Sequence, residues 1–575
     1  MAEYLSPGVY VEEFESGAKP MEGVGTSTAG FIGLAERGPV VGIPQLVTNF
    51  ADFKRTYGGY LSENEFGNYR FLAYSVEQFF VNGGSRCFVT RVAPSDAKAS
   101  SAEVGADDVV LNITAKNPGI WGDNISITVT PSSKAKTQVL EITGDDEDKK
   151  YRVKSAAGFN AGDVIVYEDK KGEKTFATIL KSQDNVLTLS EDLPDDVVDT
   201  NLLPAKVITT CEFSMEVKYG DIVEVYDNLS FNIEAPNYIT KKVAKSDLIA
   251  VEYTGAGNDE AADPFSLITE DEVAKIALAG GSNGSVSKIT AADFIGVDNG
   301  AGNRTGIQSF VDNDVVSIMA VPGVTDPNVQ LTLVAHCENL ASRFAVLDVP
   351  QDARKVQDVI NHRDIVDSGY AAMYHPWLQV FDALDKKNTM IPPSGAVMGI
   401  YARSDNTRGV HKAPANEVVR GCSGLDCQFN TGEQDILNPK GVNLIRSFPG
   451  QGIRVWGART TSSDSSWKYV NVRRLFIFIE ESIKANTNWA VFEPNDEALW
   501  VRVQRTISVF LNNLWRQGSL AGGTPDEAFF VNIGRDTMSQ DDIDNGRLVC
   551  VIGVAPVKPA EFVIFRITQK TGSAE

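Results

Sequence analysis

The stretch Phe492-Glu493-Pro494-Asn495-Asp496-Glu497-Ala498-Leu499-Trp500 opens the most strongly patterned helix in residues 441–570. Asn495 or Asp496 is suited to cap this helix, and the acidic residues favour the positive end of its dipole. Gly518 is placed to end it. Between these limits, apolar residues recur three and four positions apart, which predicts one buried helix face. These residues are Leu499, Trp500, Val503, Ile507, Phe510, Leu511, Leu514 and Trp515.

The opposite face of this predicted helix is basic. Arg502, Arg505 and Arg516 recur there at helical spacing, and Lys484 lies on the preceding predicted helix. Residues 441–520 contain 10 basic and 6 acidic residues, although the whole chain has a net charge of −23. A charged stripe of this kind is most often a solvated face. The alternative is a docking surface for an acidic partner, and spacing alone leaves both interpretations open.

Strand-like segments lie at both ends of the chain. Residues 528–533, 548–555 and 561–568 follow the helix, and the last is apolar on both faces, so it needs a covering partner. Residues 8–13 alternate after a Pro-Gly turn, with Val9 and Val11 on one side and Tyr10 and Glu12 on the other. Isolated terminal strands fray unless they join a sheet. Both ends are therefore predicted to pair with the edge of a sheet.

Length, composition and charge limit the classes of protein. A chain of 575 residues is too long for one core, and 43% hydrophobic with 22% charged residues is ordinary for a globular protein. The net charge of −23 argues against nucleic acid and anionic membranes as partners. No secretory signal and no apolar run of about 20 residues is present. Six scattered cysteines suit a reducing cytoplasm. We therefore expect a soluble, multidomain protein that is made inside the cell.

Residue patterns divide the chain into five segments. Residues 1–20 form an arm, residues 21–95 begin an α/β core, and residues 96–285 form an all-β insertion with a nested β subdomain at about 143–208. Residues 286–440 alternate between strand and helix patterns, which predicts a parallel sheet, and residues 441–575 form the C-terminal domain. The insertion contains 34 acidic and 18 basic residues. Such a charge suits a surface that faces solvent.

Motifs for chemistry are incomplete. Ser282 lies in a G-x-S-x-G pattern, but a nucleophile elbow needs a strand before it and a helix after it. Residues 274–279 are predicted to be helical and residues 285–287 to be a polar loop, so a turn between domains is favoured. Cys422, Cys427 and His411 are an incomplete set for structural zinc. We expect no catalytic site, no metal and no cofactor, and a hydrolase with Ser282 as its nucleophile is the alternative.

Six motifs carry a family resemblance. They are Ser6-Pro7-Gly8-Val9-Tyr10-Val11-Glu12-Glu13, Asn82-Gly83-Gly84-Ser85-Arg86-Cys87-Phe88-Val89, Asn438-Pro439-Lys440-Gly441-Val442-Asn443, Gly452-Ile453-Arg454-Val455-Trp456-Gly457-Ala458-Arg459-Thr460, Tyr469-Val470-Asn471-Val472-Arg473-Arg474 and Phe492-Glu493-Pro494-Asn495. Together they resemble the tail sheath proteins of contractile phage tails and contractile injection systems. The likeness covers the first hundred residues and those after about 286.

The resemblance implies a mixed α/β multidomain fold with a subtilisin-like central domain, a C-terminal α+β domain and an outward-facing β insertion. It implies a mechanical protein without enzymatic activity, because no Asp-His-Ser set is recognisable. Family members stack as six-fold rings into a helical sleeve around an inner tube, and the sleeve contracts to drive the tube through an envelope. The implied partners are further copies of the chain, the tube protein, and baseplate and tail terminator or cap proteins. The resemblance implies a protein that is made in the bacterial cytoplasm and becomes part of a phage tail or tail-like particle.

The resemblance also suggests roles for particular residues. Both terminal strands would be donated to neighbouring subunits, the basic helix face would contact the tube, and the strand at 548–555 would belong to the receiving sheet. A baseplate or adaptor component with the same domains is the alternative within this family. The donated residues are Val9, Tyr10, Val11, Phe562, Val563, Ile564, Phe565 and Ile567; the receiving residues are Val549, Val551 and Ile552; the tube-facing residues are Arg502, Arg505, Arg516 and Lys484.

Overall fold

The computed structural model describes residues 21–106, 109–144, 149–169, 171–198, 206–255 and 263–564. Within these residues the chain is a mixed α/β protein built around one nine-stranded sheet. The predicted N-terminal strand, with Val9, Tyr10 and Val11, lies outside the described residues. So does the predicted C-terminal strand from Phe565 onward, including Ile567.

The strands are β1 (Ala29–Leu34), β2 (Gln45–Val47), β3 (Cys87–Val92), β4 (Ser101–Val104), β5 (Leu111–Ala115), β6 (Ser126–Ser132), β7 (Lys136–Thr137), β8 (Val139–Thr143), β9 (Lys150–Val153), β10 (Val164–Glu168), β11 (Lys174–Gln183), β12 (Val186–Leu189), β13 (Ile208–Thr210), β14 (Glu212–Tyr219), β15 (Ile222–Leu229), β16 (Ile249–Tyr253), β17 (Ala274–Ala277), β18 (Ile318–Ala320), β19 (Phe344–Asp348), β20 (Ala371–His375), β21 (Leu378–Asp382), β22 (Lys387–Ile391), β23 (Glu417–Val418), β24 (Gly424–Leu425), β25 (Val442–Phe448), β26 (Gly452–Val455), β27 (Phe529–Ile533) and β28 (Cys550–Val554).

The helices are α1 (Phe50–Tyr57), α2 (Glu63–Phe66), α3 (Leu72–Asn82), α4 (Ile239–Val243), α5 (Ala291–Ile295), α6 (Pro327–Leu340), α7 (Val356–Arg363), α8 (Ser394–Arg408), α9 (Thr431–Leu437), α10 (Val470–Thr487), α11 (Glu497–Arg516), α12 (Pro525–Ala528) and α13 (Gln540–Asp544). Among the described residues, no helix is both long and apolar enough to span a bilayer.

The central sheet joins two distant parts of the chain. Its order is β2-β3-β1-β18-β19-β20-β25-β26-β23. The six strands from β3 to β25 are parallel, and β2, β26 and β23 are antiparallel to their neighbours. Parallel sheets need cover on both faces, and β1, β19 and β20 are accordingly buried along their whole length. The sheet thus holds residues 29–92 and residues 318–455 in one body.

Helices cover both faces of this sheet with separate apolar cores. One core includes α1, α3 and α8, and the other includes α6 and α7. The backbones of α3 and α8 lie very close together. A Cβ at Gly395 would lie 2.3 Å from the Ser75 carbonyl oxygen, and one at Gly399 would lie 2.4 Å from that of Phe79. Glycine is therefore required at both positions. The predicted mixed α/β class is confirmed, and the subtilisin-like description of the central domain stays a prediction.

Strands β4–β17 form the inserted β region. A four-stranded sheet (β15-β14-β6-β17) and a three-stranded sheet (β16-β5-β4) share one core, and a seven-stranded sheet built from β7–β13 has its own. Lys134 lies at the junction, with Nζ 2.7 Å from Asp163 and 3.1 Å from Glu212, and both carboxylates are almost fully buried. This buried charge cluster links the seven-stranded sheet to the four-stranded one.

Three local predictions were wrong. Residues 274–277 form β17 rather than a helix, because β6 supplies a pairing edge and overrides local propensity. The helical periodicity of residues 66–82 predicts one helix, but α3 begins only at Leu72, since Gly67 has φ of +50° and ends α2. The polar, glycine-containing composition of residues 413–438 predicts a loop, but this stretch contains β23, β24 and α9, and α9 begins with a capping box of Asn430 and Glu433.

A buried ion pair ties the C-terminal domain to the central sheet. Arg474 of α10 and Asp405 of α8 approach to 2.6 Å, and both side chains are less than 5% exposed. Thr26 Oγ1 donates to the same carboxylate at 2.6 Å, and Arg474 donates to the Thr26 carbonyl at 2.8 Å. Three segments that are far apart in sequence therefore meet at one charge pair.

We expect Asp405→Ala to lower the free energy of unfolding by about 3–5 kcal/mol, because it leaves the Arg474 guanidinium buried without its partner. The shift of the urea midpoint, followed by tryptophan fluorescence, measures this effect. Asp541→Ala is the matched control, since the Asp541–Arg547 pair is exposed and should matter far less. Equal midpoints for the two variants would contradict the assignment.

Candidate assembly surfaces

Ser282 does not lie on a nucleophile elbow. A strand, β17, does precede it, but Ser282 lies in an extended loop whose backbone pairs with Lys98 in both directions at 2.9 Å. The Ser282 hydroxyl accepts a hydrogen bond from the Gly284 amide at 3.1 Å. No histidine lies among its hydrogen-bond partners in the described part of the chain. The loop is a connection back to the central sheet.

The most unusual buried carboxyl belongs to Asp348, at the end of β19. It accepts hydrogen bonds from the Gly323 amide at 3.0 Å and from the Ser394 amide and hydroxyl at 2.9 and 2.7 Å. Burial raises the pKa of Asp348 to about 6. His362 instead contacts Gln330, with Nε2 3.1 Å from Oε1. Asp348 and Ser394 are both buried, so this arrangement joins β19 to the start of α8 and exposes no nucleophile.

The residues considered for zinc are not brought together. His411 Nδ1 lies 2.9 Å from the Ser519 hydroxyl, whereas Cys427 Sγ lies 3.8 Å from His375 Nε2. Burial raises the pKa of Cys427 to about 11 and lowers that of His375 to about 4, so both are neutral near pH 7. Across the described ranges, no group of three His, Cys, Asp or Glu side chains is placed to hold a metal ion.

Among the described residues, the C-terminal domain contains one sheet of two strands. β27 and β28 pair antiparallel and pack through Val531 and its neighbours against α11. Within the described residues neither outer edge of this hairpin has a neighbouring strand. A two-stranded sheet is marginal alone, and open edges are templates for pairing with another chain.

The register shows which backbone groups face outward. The Ala555 amide donates to the Ala528 carbonyl at 2.8 Å, so this pair directs its hydrogen bonds into the hairpin. Hydrogen-bonded and non-hydrogen-bonded pairs alternate along an antiparallel ladder. The Phe530–Gly553 and Asn532–Val551 pairs therefore also direct their backbone hydrogen bonds into the hairpin. The residues whose backbone N–H and C=O groups point away from the partner strand are Phe529, Val531 and Ile533 on β27, and Cys550, Ile552 and Val554 on β28.

The predicted receiving residues therefore differ in geometry. Val549 lies just before β28, and Val551 directs its backbone groups towards Asn532. Ile552 is the one of the three whose backbone faces an open edge. A strand that joins β28 would bond with Ile552 and the residues two positions to either side of it.

Helix α11 supports the hairpin as the apolar pattern predicts. Asp496 is its N-cap and accepts from the Leu499 amide at 2.9 Å, and seven of the eight predicted apolar positions are buried. The predicted basic residues lie on exposed surface but in different settings. Arg502 donates to Glu493 at 2.8 Å and stacks over Trp489, while Lys484 of α10 lies 3.4 Å from Glu481. Arg505 and Arg516 instead line a groove beside β27.

A polar anchor holds the start of the C-terminal tail. Arg459 donates twice to Glu561, at 2.7 and 2.6 Å, while Asn438 and Tyr469 donate at 2.8 and 3.2 Å. Burial alone would raise the pKa of Glu561, but these hydrogen bonds outweigh it and lower the pKa. The next three residues are apolar and at least 70% exposed: Phe562, Val563 and Ile564. The tail thus leaves the body at Glu561.

The N-terminal segment is anchored along α10. The Val24 amide donates to Ser482 Oγ at 3.1 Å, and Glu22 exchanges two backbone hydrogen bonds with the Asn486 side chain at 3.3 and 2.8 Å. Tyr469, the N-cap of α10, contacts the C-terminal anchor at Glu561. The two terminal segments are therefore attached near opposite ends of α10, at Asn486 and at Tyr469, about 25 Å apart along the helix axis.

Sequence reasoning missed these anchors. Arg459 and Glu561 are about one hundred positions apart, and a single carboxylate before an apolar strand gives no signal of its partner. The hydrogen bonds that attach Glu22 and Val24 to α10 were also missed, because Ser482 and Asn486 resemble ordinary solvent-facing residues. The motif around Arg459 was identified only as part of the family resemblance.

Two consecutive family models match about half of the chain. The phage tail sheath protein central domain matches residues 296–461, and the phage tail sheath C-terminal domain matches residues 462–570. The tail sheath protein of Enterobacteria phage T4 is 23% identical over 593 residues, covering 86% of this chain and 87% of the relative. That of Escherichia phage P2 is 24% identical over 295 residues, covering 49% and 72%.

Solved structures show the same fold. The sheath of the PVC extracellular contractile injection system, in its contracted state, aligns over 99% of both chains with a TM-score of 0.52 and 21% identity. The matched family domains include β20, β25, α10, α11 and the β27–β28 hairpin, so they contain the Glu561 anchor, the α10 side of the N-terminal anchor and both open edges. The chain belongs to the family of tail sheath proteins of contractile phage tails and contractile injection systems.

Proposed function

We propose that this chain is the polymerising subunit of a contractile sleeve, stacked as six-fold rings around an inner tube. The observation that supports this most directly is the two-stranded β27–β28 sheet, whose edges are both open among the described residues. Strand addition to such edges forms backbone hydrogen bonds without a large rigid interface. The same contact repeated between copies is heterologous and does not close, which suits a helical polymer.

The proposed role is mechanical and non-enzymatic. The sleeve stores a metastable extended arrangement and shortens to drive the tube through a target envelope, while its subunits stay linked by their strands. Family membership supports this role. So do Ser282, which has no histidine partner among the residues that the structure describes, and Asp348, which is enclosed in the core. The further proposed partners are baseplate and tail terminator or cap proteins, in a phage tail or tail-like particle.

The donated strands are proposed to lie at the two ends of the chain. Residues 8–13 supply the N-terminal strand, and residues 562–568 supply the C-terminal one. The N-terminal strand is attached to the body by the hydrogen bond from Val24 to Ser482 of α10, and the C-terminal strand by the Arg459–Glu561 pair. Each tail can therefore reach a neighbour while its origin stays in place.

Deleting residues 1–14 or residues 560–575 should leave a folded monomer that forms no sleeves, because each deletion removes one linking strand. Circular dichroism tests the fold, and negative-stain microscopy tests the assembly. A chain with Val9→Lys and Val11→Lys keeps its length and should fail in the same way, since these side chains can no longer pack on a sheet. Sleeves of normal length from either deletion would contradict the proposal, and short closed rings would favour the baseplate or adaptor alternative.

The basic surface of α10 and α11 is the proposed contact with the tube. Lys484 and Arg502 are each at least half exposed, and their acidic neighbours leave them accessible. Exposed ion pairs are weak and screened by salt, so contacts made through them can be released during contraction. Arg505 and Arg516 belong to the same helix face but line the groove beside β27.

Reversing both charges, with Lys484→Glu and Arg502→Glu, should reduce co-sedimentation of the chain with its inner tube. Raising the salt concentration should weaken wild-type binding in the same direction. The control is Lys181→Glu with Lys218→Glu, which reverses two exposed charges in the β insertion. If both double variants bind the tube equally well, this surface does not contact it.

The Glu561 anchor gives a further test. The pKa of Glu561 is lowered, so the stabilisation by its charge is complete above its unfolded value of about 4.3 and is lost only as pH falls through the lower folded value. Glu561→Gln should therefore expose the Phe562–Val563 bond to chymotrypsin about tenfold more at neutral pH. The ratio to wild type should stay constant between about pH 6 and 8. Glu497→Gln, at an exposed position, is the control, and equal cleavage of both variants would contradict the anchor.

A further inference from the structure

A lysine and two carboxylates are buried together where the seven-stranded sheet of the β insertion meets the four-stranded one. Lys134 Nζ lies 2.7 Å from Asp163 Oδ2 and 3.1 Å from Glu212 Oε1. The two acidic side chains are each 1% exposed, and the lysine side chain is 16% exposed. Taking charges out of water is costly even when they are paired, and apolar side chains could join the two sheets at lower cost.

The strands of the insertion bring these three residues together. The chain crosses to the seven-stranded sheet between β6 and β7, where Lys134 lies, and it returns to the four-stranded sheet at Glu212, the first residue of β14. Asp163 lies directly before β10. Its backbone amide donates to the Asn160 carbonyl at 3.1 Å, and its carbonyl accepts from the Ile179 amide at 2.9 Å. The three side chains are therefore positioned by regular strands and their hydrogen bonds.

The carboxyl group of Asp163 accepts hydrogen bonds at both of its oxygens. Oδ1 accepts from Asn232 Nδ2 at 2.9 Å. Oδ2 accepts from the Asn160 backbone amide at 2.9 Å and from Asn160 Nδ2 at 3.2 Å. Fixed N–H donors stabilise an oxygen on which negative charge develops when the carbon is attacked. The carboxyl group is thus held and polarised beside the lysine amine.

Glu212 is fixed beside the same amine by its second oxygen. Its Oε2 accepts from the backbone amide of Lys134 at 2.8 Å and from Thr210 Oγ1 at 2.7 Å, while Oε1 contacts Lys134 Nζ. A lysine becomes a nucleophile only when its ammonium group has lost a proton. A carboxylate at this distance is within the reach of a general base. Glu212 is therefore placed to accept a proton from the Lys134 amine.

We propose that Lys134 and Asp163 condense to form an intramolecular isopeptide bond, with Glu212 as the proton-transfer group. The contacts in the structure are those of the two reactants. Glu212 first carries a proton from Nζ of Lys134 to Oδ2 of Asp163, which leaves a neutral amine beside a neutral acid. Nζ then attacks Cγ, and Asn232 stabilises the charge that develops on Oδ1.

The second half of the reaction releases water. Glu212 carries another proton from Nζ to Oδ2, the bond between Cγ and Oδ2 breaks, and the departing oxygen leaves with both protons. The new amide nitrogen keeps the third proton of the ammonium group, and Oδ1 becomes the amide oxygen. Glu212 is again a carboxylate, and nothing has been oxidised or reduced.

Burial and proximity both favour this condensation. In water, amide formation is opposed because the free ammonium and carboxylate are well solvated, but burial penalises both charges and the amide carries neither. The 2.7 Å contact between Nζ and Oδ2 also places Cγ, one bond further away, near the distance of about 3–3.5 Å from which an intramolecular attack is efficient.

Lys387 provides an internal contrast. Its Nζ also contacts two carboxylates, at 3.1 Å from Glu63 and 3.3 Å from Asp385. Those side chains are 46% and 29% exposed, so water solvates the ions and competes for the same groups. We expect no covalent bond at Lys387.

The isopeptide bond joins the linker between β6 and β7 to the start of β10. It closes the loop between positions 134 and 163, which restricts the unfolded chain and stabilises the seven-stranded sheet where it meets the four-stranded one. The bond forms within one subunit, so it does not depend on the sleeve function.

Peptide mapping of the full-length chain by mass spectrometry tests the bond directly. Trypsin should fail to cut after Lys134, and residues 117–136 should be joined to residues 155–170 with a mass one water below the sum of the two peptides. Cleavage after Lys387 should be normal. Free peptides alone, with cleavage after Lys134, would overturn the proposal. Linkage to residues 207–218, which contain Glu212, would overturn the choice of Asp163 as the acceptor.

Substitutions distinguish the covalent bond from the ion pair. Lys134→Arg keeps the positive charge but has no amine, so the linked peptide should disappear and the denatured chain should migrate in a gel as a less compact species. Asp163→Ala should also abolish the link. Lys387→Arg is the matched control and should leave both readouts unchanged. Equal mobility of all these chains and the wild type would contradict the bond.

Glu212→Gln tests the proton transfer separately. This variant keeps the size of the side chain but removes the base, so linkage should be about a hundredfold slower or more. The fraction of unlinked peptide, followed during incubation of the purified chain, measures this rate. Linkage at the wild-type rate would overturn the role of Glu212.

Discussion

Backbone hydrogen bonding at the β27–β28 hairpin is the constraint on which this structure depends. A hairpin can satisfy only the backbone groups that face its partner strand, and three residues on each strand face outward. Each additional intermolecular hydrogen bond contributes roughly 0.5–1.5 kcal/mol, so a donated strand of five or six residues gives appreciable affinity from backbone groups alone. Gln504 satisfies one of these outward groups in the isolated subunit. The Phe529 amide donates to the Pro525 carbonyl at the end of α12. We propose that the other outward groups pair with neighbours.

The rest of the molecule positions these edges and the segments proposed to fill them. α11 supports the hairpin with its apolar face and presents Arg505 and Arg516 beside one edge. The two terminal segments are attached at opposite ends of α10, and α10 is joined to the central sheet by the buried Arg474–Asp405 pair. The nine-stranded sheet makes a rigid body from distant parts of the chain. The contacts proposed to persist are thus backbone pairs, and those proposed to be released are exposed charges.

Local structure was predictable wherever a short pattern determines it. The Asp496 cap, the apolar stripe of α11 and the strands at β27 and β28 follow from spacing and capping chemistry. The errors occurred where a distant partner overrides local preference. Residues 274–277 look helical in isolation, but β6 provides the pairing edge that makes them a strand. Gly67 interrupts a helical pattern that is otherwise continuous, because its positive φ ends α2.

The basic helix face and the hairpin strands were predictable as elements but not in their geometry, and their roles in assembly stay predictions. The sequence indicates two terminal strands, a receiving hairpin and a basic helix face. It does not show that Val551 faces inward and Ile552 outward, because that parity depends on register. It also cannot show that Arg459 meets Glu561, since ion pairs between distant segments depend on the tertiary fold.

The most direct test of the central claim is residue-resolved hydrogen–deuterium exchange on the hairpin, in the monomer and in the assembled form. In the monomer, the inward-facing amides of Asn532 and Val551 should exchange slowly, and the outward-facing amides of Val531, Ile533 and Ile552 should exchange rapidly. Assembly should slow the outward-facing amides and leave the inward-facing ones unchanged. Rapid exchange of the outward-facing amides in assembled material would contradict the account, because the edges would then remain unpaired.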